Sequence, residues 1–429
     1  MNAEIFSQIT RDRFGTFGGL CPTTVPSFPT SFPVKVIRDD FPFLRQSMNG
    51  KPLVWFDNAA TTQKPRCVID RIKTFYEREN SNIHRGAHTF AERATDLYED
   101  ARAAVADFLN APKGSVVVFI RGATEGLNLI AQSYVKPLLE GGDEILLTAL
   151  EHHANIVPWQ MIAKEKNAVI RAAPVDNGGD IILSEYEKLI TDRTKFISIT
   201  HVSNAIGTVA PIAEMIDIAH RHGVRVAVDG AQSVSHLPID LSASDADFFV
   251  FSGHKLFAPT GIGALCAKSG LLDGAPPYQG GGNMISDVAF TETKYAPLPA
   301  RFEAGTGNIA GAVALREAIL YVRKIGLKRI EAYEKTLTER GIDALKSVKN
   351  LSLVGSPKRR AGILSFVIKD VPVGVIERRL NDEGIAVRAG HHCAQPILRR
   401  LGFEATVRPS LAFYNTDWEI DRMVRALNF

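Results

Sequence analysis

A lysine and an aspartate each follow an apolar segment, in positions that would let both side chains act on one bound molecule. Lys255 closes the segment 252–255, directly after the apolar run 247–251, and Asp229 ends an apolar run upstream. Taken singly, such a lysine is usually a solvated loop residue, and such an aspartate is often a helix cap. Taken together, an amine and a carboxylate at strand ends suit pyridoxal phosphate (PLP). This cofactor needs a lysine for its Schiff base and an acid beside its ring nitrogen.

A phosphate site is suggested by the segment 121–126, which lies between an apolar strand and a helical pattern. Amide groups at a helix start, with a small hydroxyl at Thr124, favour a phosphate. On its own, an ordinary strand-to-helix turn is the more common interpretation, and the segment is neither a P-loop nor a dinucleotide fingerprint. Ser252 and His254, beside Lys255, make a single phosphate plausible.

Two adjacent histidines, His152 and His153, follow the apolar segment 144–148. A metal site is one interpretation, but sequence neighbours rarely bind one ion, and neither an HExxH spacing nor a cysteine partner accompanies them. We favour an imidazole stacked on a flat cofactor ring, because of where the pair falls in the expected sheet. The sequence therefore predicts no metal site.

Cys393 lies among His391, His392 and a glycine rather than among aliphatic residues. A free cysteine is most often a small buried hydrophobe. A polar loop with cationic neighbours could instead expose the sulfur and lower the thiol pKa, which favours a nucleophile. Arg408, further along, could hold a substrate carboxylate with two parallel hydrogen bonds, although a surface ion pair is the more common role of a lone arginine.

Segments that read as buried strands alternate with amphipathic stretches from residue 115 onward. We expect strands at 115–120, 144–148, 195–202, 225–229, 247–251 and 261–267. Continuous apolar strands separated by helices indicate a mostly parallel sheet covered on both faces. Such sheets carry their sites at the carboxyl ends of strands, which is where Lys255, Asp229 and Asn204 fall.

A smaller α+β unit is expected from about residue 310, with helices over 311–325, 328–347 and 375–383. Residues 1–35 differ from the rest, because closely spaced prolines exclude a stable helix. They are either a loosely draped tail or a docking segment with phenylalanine anchors. We divide the chain into this extension (1–35), a segment packing with the small domain (36–56), a large domain (57–309) and the small domain (310–429).

Composition excludes several classes of protein. The chain has 429 residues, 45% of them hydrophobic, and a net charge of +3, which is too weak and dispersed to argue for nucleic acid. We find no apolar stretch that could span a bilayer, and we expect no secretory signal, because residues 1–6 lack a charged start followed by an apolar core. The few scattered cysteines fit a reducing cytoplasm better than a disulfide framework.

The ordered motifs together resemble one known family. From about Asp39 to the C-terminus the chain is similar to the cysteine desulfurases of PLP fold-type I, within the class V aminotransferase superfamily, and more closely to their group II, or SufS-like, branch. The motifs that carry the resemblance are 57–60, 81–86, 122–126, 151–155, 200–204, 229–232, 252–255 and 388–393. The resemblance implies a seven-stranded, mostly parallel sheet covered by helices, with a smaller α+β domain.

The resemblance also implies a role for each matching position. Lys255 would bind the PLP aldehyde and then move protons, while Cys393 would take up the sulfur of L-cysteine as a persulfide and leave L-alanine. The other implied cofactor contacts are Asp229 at the ring nitrogen, Gln232 at the ring hydroxyl, His152 on the ring, Thr124, Ser252 and His254 at the phosphate, Glu125 and Asn204. The implied substrate contacts are Arg408 at the carboxylate, with Asn204, Arg388, His84 and Arg85 nearby. Thr306 would reach the phosphate of a neighbouring subunit, which implies a homodimer.

Several alternatives stay open at this stage. A selenocysteine lyase or another class V lyase would share most of these residues, and a low-turnover PLP-binding protein that stores sulfur would share the cofactor site. Some related desulfurases carry N-terminal segments that load them into encapsulin shells, so residues 1–35 could place the enzyme inside a protein compartment. The sequence identifies no sulfur-acceptor protein.

Overall fold

The computed structural model describes residues 32–84 and 86–428, and its first elements are short. They are helix α1 (Val34–Asp39) and strands β1 (Ser47–Met48), β2 (Lys51–Pro52) and β3 (Val54–Trp55). Strands β1 and β2 pair in antiparallel fashion. The ring of Phe41, just after α1, packs edge-on against Phe257 and Phe413, so this segment is anchored on both later parts of the chain.

The next elements alternate between strand and helix, as the sequence predicts. In chain order they are α2 (Arg66–Arg78), α3 (Thr89–Phe108), β4 (Val116–Ile120), α4 (Ala123–Leu129), β5 (Glu144–Thr148), α5 (Val157–Lys166), β6 (Val169–Ala173), α6 (Leu183–Lys188), β7 (Thr194–Thr200), α7 (Ile212–Arg221), β8 (Arg225–Asp229), α8 (Leu241–Ser244), β9 (Phe248–Ser252), β10 (Gly263–Ala267), β11 (Ile285–Val288) and β12 (Thr293–Tyr295).

Seven of these strands form one sheet in the order β4-β10-β9-β8-β7-β5-β6. Strand β10 runs antiparallel to both neighbours, and the other pairs from β9 to β6 are parallel. The predicted mostly parallel sheet is confirmed, including each of the strands expected from the apolar runs. Residue-level patterning missed β6, because this edge strand exposes Val169 and Arg171 and so lacks a continuous apolar run.

Alternate residues of the central strands enter two different cores. Leu146, Ile197 and Val228 belong to a core on one face, whereas Leu147, Phe196 and Ala227 belong to a core on the other. This alternation follows from the two-residue period of a strand. Helices therefore cover both faces, as continuous apolar strands require.

The C-terminal part of the chain builds a second, smaller sheet. Its elements are α9 (Ile309–Ile325), α10 (Leu327–Lys346), β13 (Leu351–Leu353), β14 (Phe366–Ile368), α11 (Val373–Asp382), β15 (Ile385–Ala386), β16 (Arg388–Gly390), α12 (Gln395–Arg400), β17 (Thr406–Arg408) and α13 (Asp417–Leu427). The four-stranded antiparallel sheet has the order β13-β14-β17-β16. Strand β15 pairs in parallel with β3, and Val54 of β3 lies in the small-sheet core.

None of the helices in residues 32–84 and 86–428 combines the length and apolar character that a membrane crossing requires. The domain boundaries proposed above stay predictions. The pairing of β3 with β15 agrees with a segment that packs against the small sheet, while Ile37 and Phe41 lie in the core of the large one.

Gly230, directly after Asp229, has no room for a side chain. A Cβ built there would lie 2.0 Å from Cζ of Phe249. We expect Gly230→Ala to lower the free energy of unfolding by about 1–3 kcal/mol, since overpacking forces the ring or the backbone to move. Urea unfolding measures this change. Gly274→Ala is the control, because that position has nothing within 4 Å; equal stability of the two variants would contradict the packing argument.

Candidate active site

A cavity of about 260 Å³ opens where strands of the large sheet end beside the loop that follows β16. Most residues singled out from the sequence line it together: Thr124, His152, Asn204, Asp229, Gln232, Ser252, His254, Lys255, Arg388, Cys393 and Arg408. They come from distant parts of the chain, because the carboxyl ends of parallel strands meet at one edge of a sheet.

Lys255 and Asp229 lie in surroundings that disfavour charge. Asp229 ends β8 and is buried, and its Oδ1 accepts a hydrogen bond of 2.9 Å from the backbone N–H of Ala231. Burial raises the pKa of this carboxyl, an effect that the nearby Lys255 ammonium opposes. Burial likewise lowers the pKa of Lys255 to about 8, and the charge of Asp229 only partly offsets this effect. The amine is therefore much closer to its reactive neutral form than an exposed lysine is.

The turn that carries Lys255 is held through the carbonyl oxygen of His254. This oxygen accepts hydrogen bonds from the hydroxyls of Thr61 (3.2 Å) and Thr62 (3.1 Å) and from the ammonium of Lys64 (3.0 Å). Sequence reasoning missed Lys64, because a lone lysine next to a proline carries no signal of its own. Burial lowers the pKa of Lys64 to about 8.

His152 presents a neutral ring to the cavity. Its Nδ1 accepts a hydrogen bond of 3.0 Å from the backbone N–H of Ala154, which leaves the ring proton on Nε2. Burial, followed by the positive charge of Lys255, lowers the pKa of His152 to about 3. A neutral imidazole suits stacking on an aromatic ring better than a charged one.

A small cradle lies at the start of α4. The Ser252 hydroxyl accepts a hydrogen bond of 2.9 Å from the backbone N–H of Ala123. A Cβ on Gly122 would lie 3.1 Å from that hydroxyl, so a larger residue would crowd the space. Gln232 also lines the cavity, and its side-chain Nε2 donates to the backbone carbonyl of Ala59 at 2.7 Å. The side-chain oxygen of Gln232 takes no part in this bond.

Two arginines of the small sheet meet one carboxylate. Arg388 and Arg408 are directly opposite each other on β16 and β17, and Asp57 bonds both, with Nη2–Oδ distances of 3.0 and 3.3 Å. Arg408 is buried and also donates to the backbone carbonyl of Asn204 at 2.9 Å. Its Nε and the Oδ1 of Asn204 are buried without a hydrogen-bond partner among the described residues.

Cys393 is exposed at the cavity, on a loop tied to the large sheet. The Asn204 side chain donates to the His392 carbonyl at 2.6 Å, and the His153 backbone N–H donates to the Cys393 carbonyl at 2.7 Å. The expectation of cationic histidines beside the thiol needs correction. His392 is buried with its pKa lowered to about 3, mainly by desolvation, and His391 Nδ1 accepts the Cys393 N–H. Arg388 and Arg408 supply the positive charge instead.

Three predicted residues lie outside the cavity lining. The Glu125 carboxylate accepts hydrogen bonds from the Tyr278 hydroxyl at 2.5 Å and from the Arg121 side chain at 3.2 Å, and its expected cofactor contact stays a prediction. His84 pairs with Glu99 at 3.0 Å. Thr306 is exposed on the surface of the chain. Arg85 lies outside the described residues.

Comparisons with known proteins agree with the motifs. The family Aminotransferase class-V matches residues 54–423. A cysteine desulfurase of Synechococcus elongatus is 54% identical over 99% of this chain and 67% of its own length. A probable cysteine desulfurase of Mycolicibacterium paratuberculosis is 54% identical over 92% of this chain and 58% of its own length. The apo structure of a cysteine desulfurase from Thermococcus onnurineus is 35% identical, covers 92% of this chain and 97% of its own, and has a TM-score of 0.87.

This chain belongs to the cysteine desulfurases of the class-V aminotransferase family. It spans about two thirds or less of the length of the two curated relatives named above. Its fold is the PLP fold-type I architecture predicted from the sequence, with a smaller α+β unit attached.

Cysteine desulfurases depend on PLP, and the cavity fits that cofactor. Asp229 is a buried acid with one backbone donor, and a protonated ring nitrogen would add a cationic hydrogen-bond donor to its carboxylate. Lys255 offers an amine of lowered pKa, His152 a neutral ring, and the cradle at Ser252 a place for a phosphate. These residues would hold PLP at the floor of the cavity.

The lowered pKa of Lys255 predicts how the cofactor-free protein takes up PLP. The neutral amine is the nucleophile, so the rate of covalent attachment should rise with pH up to about 8 and then level off. Borohydride trapping followed by mass spectrometry at a series of pH values measures this rate, with Lys255→Ala as the control that should give no adduct. A rate still rising tenfold per pH unit from 8 to 10 would contradict the effect of burial.

Proposed function

We propose that this protein removes the sulfur of L-cysteine, with Cys393 as the group that takes it up and L-alanine as the other product. The observation that carries the proposal is the meeting of Lys255, Asp229 and an exposed Cys393 at one cavity. Membership of the cysteine desulfurase family favours this reaction over other PLP reactions. The two arginines beside Asp57 offer the charged groups that would bind the carboxylate of a small amino acid.

The substrate carboxylate would bind at Arg408. The Arg408 guanidinium is oriented before a ligand arrives, because the Asn204 carbonyl and the Asp57 carboxylate both bond it. Its buried Nε has no hydrogen-bond partner among the described residues and could donate to the ligand. Arg388 would add a second positive charge at the more exposed side. An arginine fork suits a carboxylate because two parallel hydrogen bonds fix its orientation as well as its position.

The next task of the chain is to move the α-proton of the substrate. When bound, PLP supplies an electron sink for the carbon next to the substrate amine. The pKa of the Lys255 amine is lowered to about 8, so a useful fraction of this amine is neutral near pH 7 and can take the α-proton and return it. Asp229 would hold a proton on the ring nitrogen through its negative charge. His152, neutral with its proton on Nε2, would cover the ring and exclude water from that side.

Sulfur transfer follows at Cys393. Its thiolate sulfur attacks the substrate sulfur, so an S–S bond forms as the Cβ–S bond of the substrate breaks. The bonding electrons stay with the substrate carbon, which gains protons and leaves as alanine. Cys393 retains the transferred sulfur as a persulfide. Arg388 and Arg408 line the same cavity as Cys393 and would hold the substrate while its sulfur is attacked.

We also propose that the protein forms a homodimer and passes its sulfur to an acceptor protein. The exposed Thr306 and the exposed β11–β12 ribbon, which ends in the fully exposed Phe290, support a homodimer in which one subunit completes the other's phosphate site. The exposed Cys393 supports delivery of sulfur to an acceptor protein. Cytoplasmic location and docking of residues 1–35 in an encapsulin shell remain proposals, and residues 1–31 lie outside the described structure.

Replacing the nucleophile separates cofactor chemistry from sulfur transfer. We expect Cys393→Ser to keep the yellow colour of bound PLP and to lose at least about 100-fold in the rate of alanine and sulfide formation from L-cysteine, because a hydroxyl cannot accept sulfur as a thiolate does. Cys67→Ser, at a cysteine of the core away from the cavity, is the control. Full turnover of L-cysteine by Cys393→Ser would contradict the proposal. So would an unmodified protein that turns over selenocysteine but not L-cysteine.

The carboxylate site is tested by a charge-conserving change. Arg408→Lys keeps the charge and loses the fork, so KM for L-cysteine should rise about 10- to 100-fold, the loss expected for a charged hydrogen bond, with a smaller effect on kcat. Arg399→Lys serves as the matched control, since Arg399 is exposed and pairs with Glu404 on the surface. An unchanged KM in Arg408→Lys would place the substrate carboxylate elsewhere.

A further inference from the structure

The backbone that carries Cys393 adopts conformations that side chains rarely tolerate. Gly390 has a φ of +132°, and His392 and Cys393 both have a φ of +53°. Residues other than glycine seldom occupy this left-handed region, so two in succession need support from their surroundings. The supporting contacts therefore decide where the thiol lies.

Most hydrogen bonds that hold residues 390–393 come from other parts of the chain, but one lies within this segment. Asn204 and the His153 backbone hold the carbonyl groups of His392 and Cys393, and His392 Nε2 lies 2.8 Å from the Thr406 hydroxyl. The backbone N–H of Cys393 instead donates to Nδ1 of His391, two residues earlier, at 3.0 Å. His391 is itself exposed, so its own burial does not hold it in place.

A second histidine backs the first. The ring of His153 stacks on that of His391 with centroids 5.7 Å apart and planes 27° apart. His153 Nε2 accepts the backbone N–H of Gln395 at 3.4 Å, so this ring is fixed to the residue that opens α12. One imidazole nitrogen thus accepts the N–H of Cys393, and the other accepts the N–H of Gln395, two residues later.

We propose that His391 is a positioning residue: its Nδ1 holds the backbone N–H of Cys393, and the stacked ring of His153 keeps His391 in place. The inference rests on the proposed function of Cys393. His391 contacts the amide of Cys393, and in this geometry it has no part in proton transfer at the substrate. Its loss should leave PLP binding and substrate binding intact and slow the sulfur-transfer step, in which a small misplacement of the attacking atom is costly.

Three variants at one position test this geometry. The Oδ1 of asparagine can occupy the place of Nδ1 and accept the same N–H, as in an Asx turn. Glutamine places its oxygen nearer to where Nε2 lies, and alanine has no acceptor. We expect His391→Ala and His391→Gln to lower kcat for L-cysteine ~10- to 100-fold with KM and the PLP spectrum nearly unchanged. His391→Asn should retain kcat within about threefold of the unmodified enzyme. His222→Ala, at an exposed histidine after α7, is the control.

Hydrogen–deuterium exchange gives a readout that does not need turnover. In the substrate-free holoenzyme, a peptide covering 388–398 should exchange faster in His391→Ala and His391→Gln than in the unmodified enzyme or His391→Asn. The inference is overturned if His391→Ala keeps its kcat and its exchange protection, or if His391→Asn is as impaired as His391→Ala. Failure of the proposed function would show separately, as full turnover by Cys393→Ser, whatever the exchange data give.

Discussion

Desolvation of charge at the floor of the cavity is the constraint on which the rest of the site depends. Asp229 and Lys255 are withdrawn from water at the ends of neighbouring parallel strands, which raises the pKa of the acid and lowers that of the amine. Neither shift could persist if the strand ends were open to solvent. The covering of both sheet faces by helices, and of the carboxyl edge by the small-domain loop, is therefore part of the chemistry.

A second constraint on the site is the Asp57 carboxylate, which joins segments that are distant in sequence. Antiparallel pairing of β16 and β17 puts Arg388 and Arg408 face to face, an arrangement of like charges that is unfavourable by itself. The carboxylate of Asp57, which follows β3 closely, bonds both guanidinium groups. Docking of the small sheet therefore also orients both arginines, which is what the proposed binding of a substrate carboxylate requires.

A third feature is that the reactive residues are held mainly through the backbone. The Lys255 turn is fixed at the carbonyl of His254, and the Cys393 loop is fixed at successive carbonyl groups and one amide. The reactive amine and the exposed thiol are thereby left for chemistry. Lys64, Asn204 and His153 serve this purpose without needing to react themselves.

The patterns along the chain were sufficient for the large sheet and for most of the cavity lining, because apolar strands and the motifs at their ends are local features. Strand β6 escaped residue-level patterning, since an edge strand with exposed Val169 and Arg171 lacks the apolar run of a central one. The charge state of His392, beside Cys393, also differed from expectation. Whether an imidazole is buried and which atom its nitrogen faces are set by contacts with residues such as Thr406, far away in sequence.

By itself, the sequence determined the fold class and the family, because residue types in fixed order carry that information, and it predicted Lys255, Asp229 and Cys393 as the reactive residues. Only the tertiary structure decided the pKa values of those groups, their ion pairs and the positions of their side chains. It shielded the Lys255 amine and the Asp229 carboxyl from water and joined Arg388 to Arg408 through Asp57. It also set His391 and His153 around the left-handed backbone of Cys393. The physical reason is that pKa shifts, ion-pair geometry and strained backbone depend on which distant groups exclude water and supply hydrogen bonds.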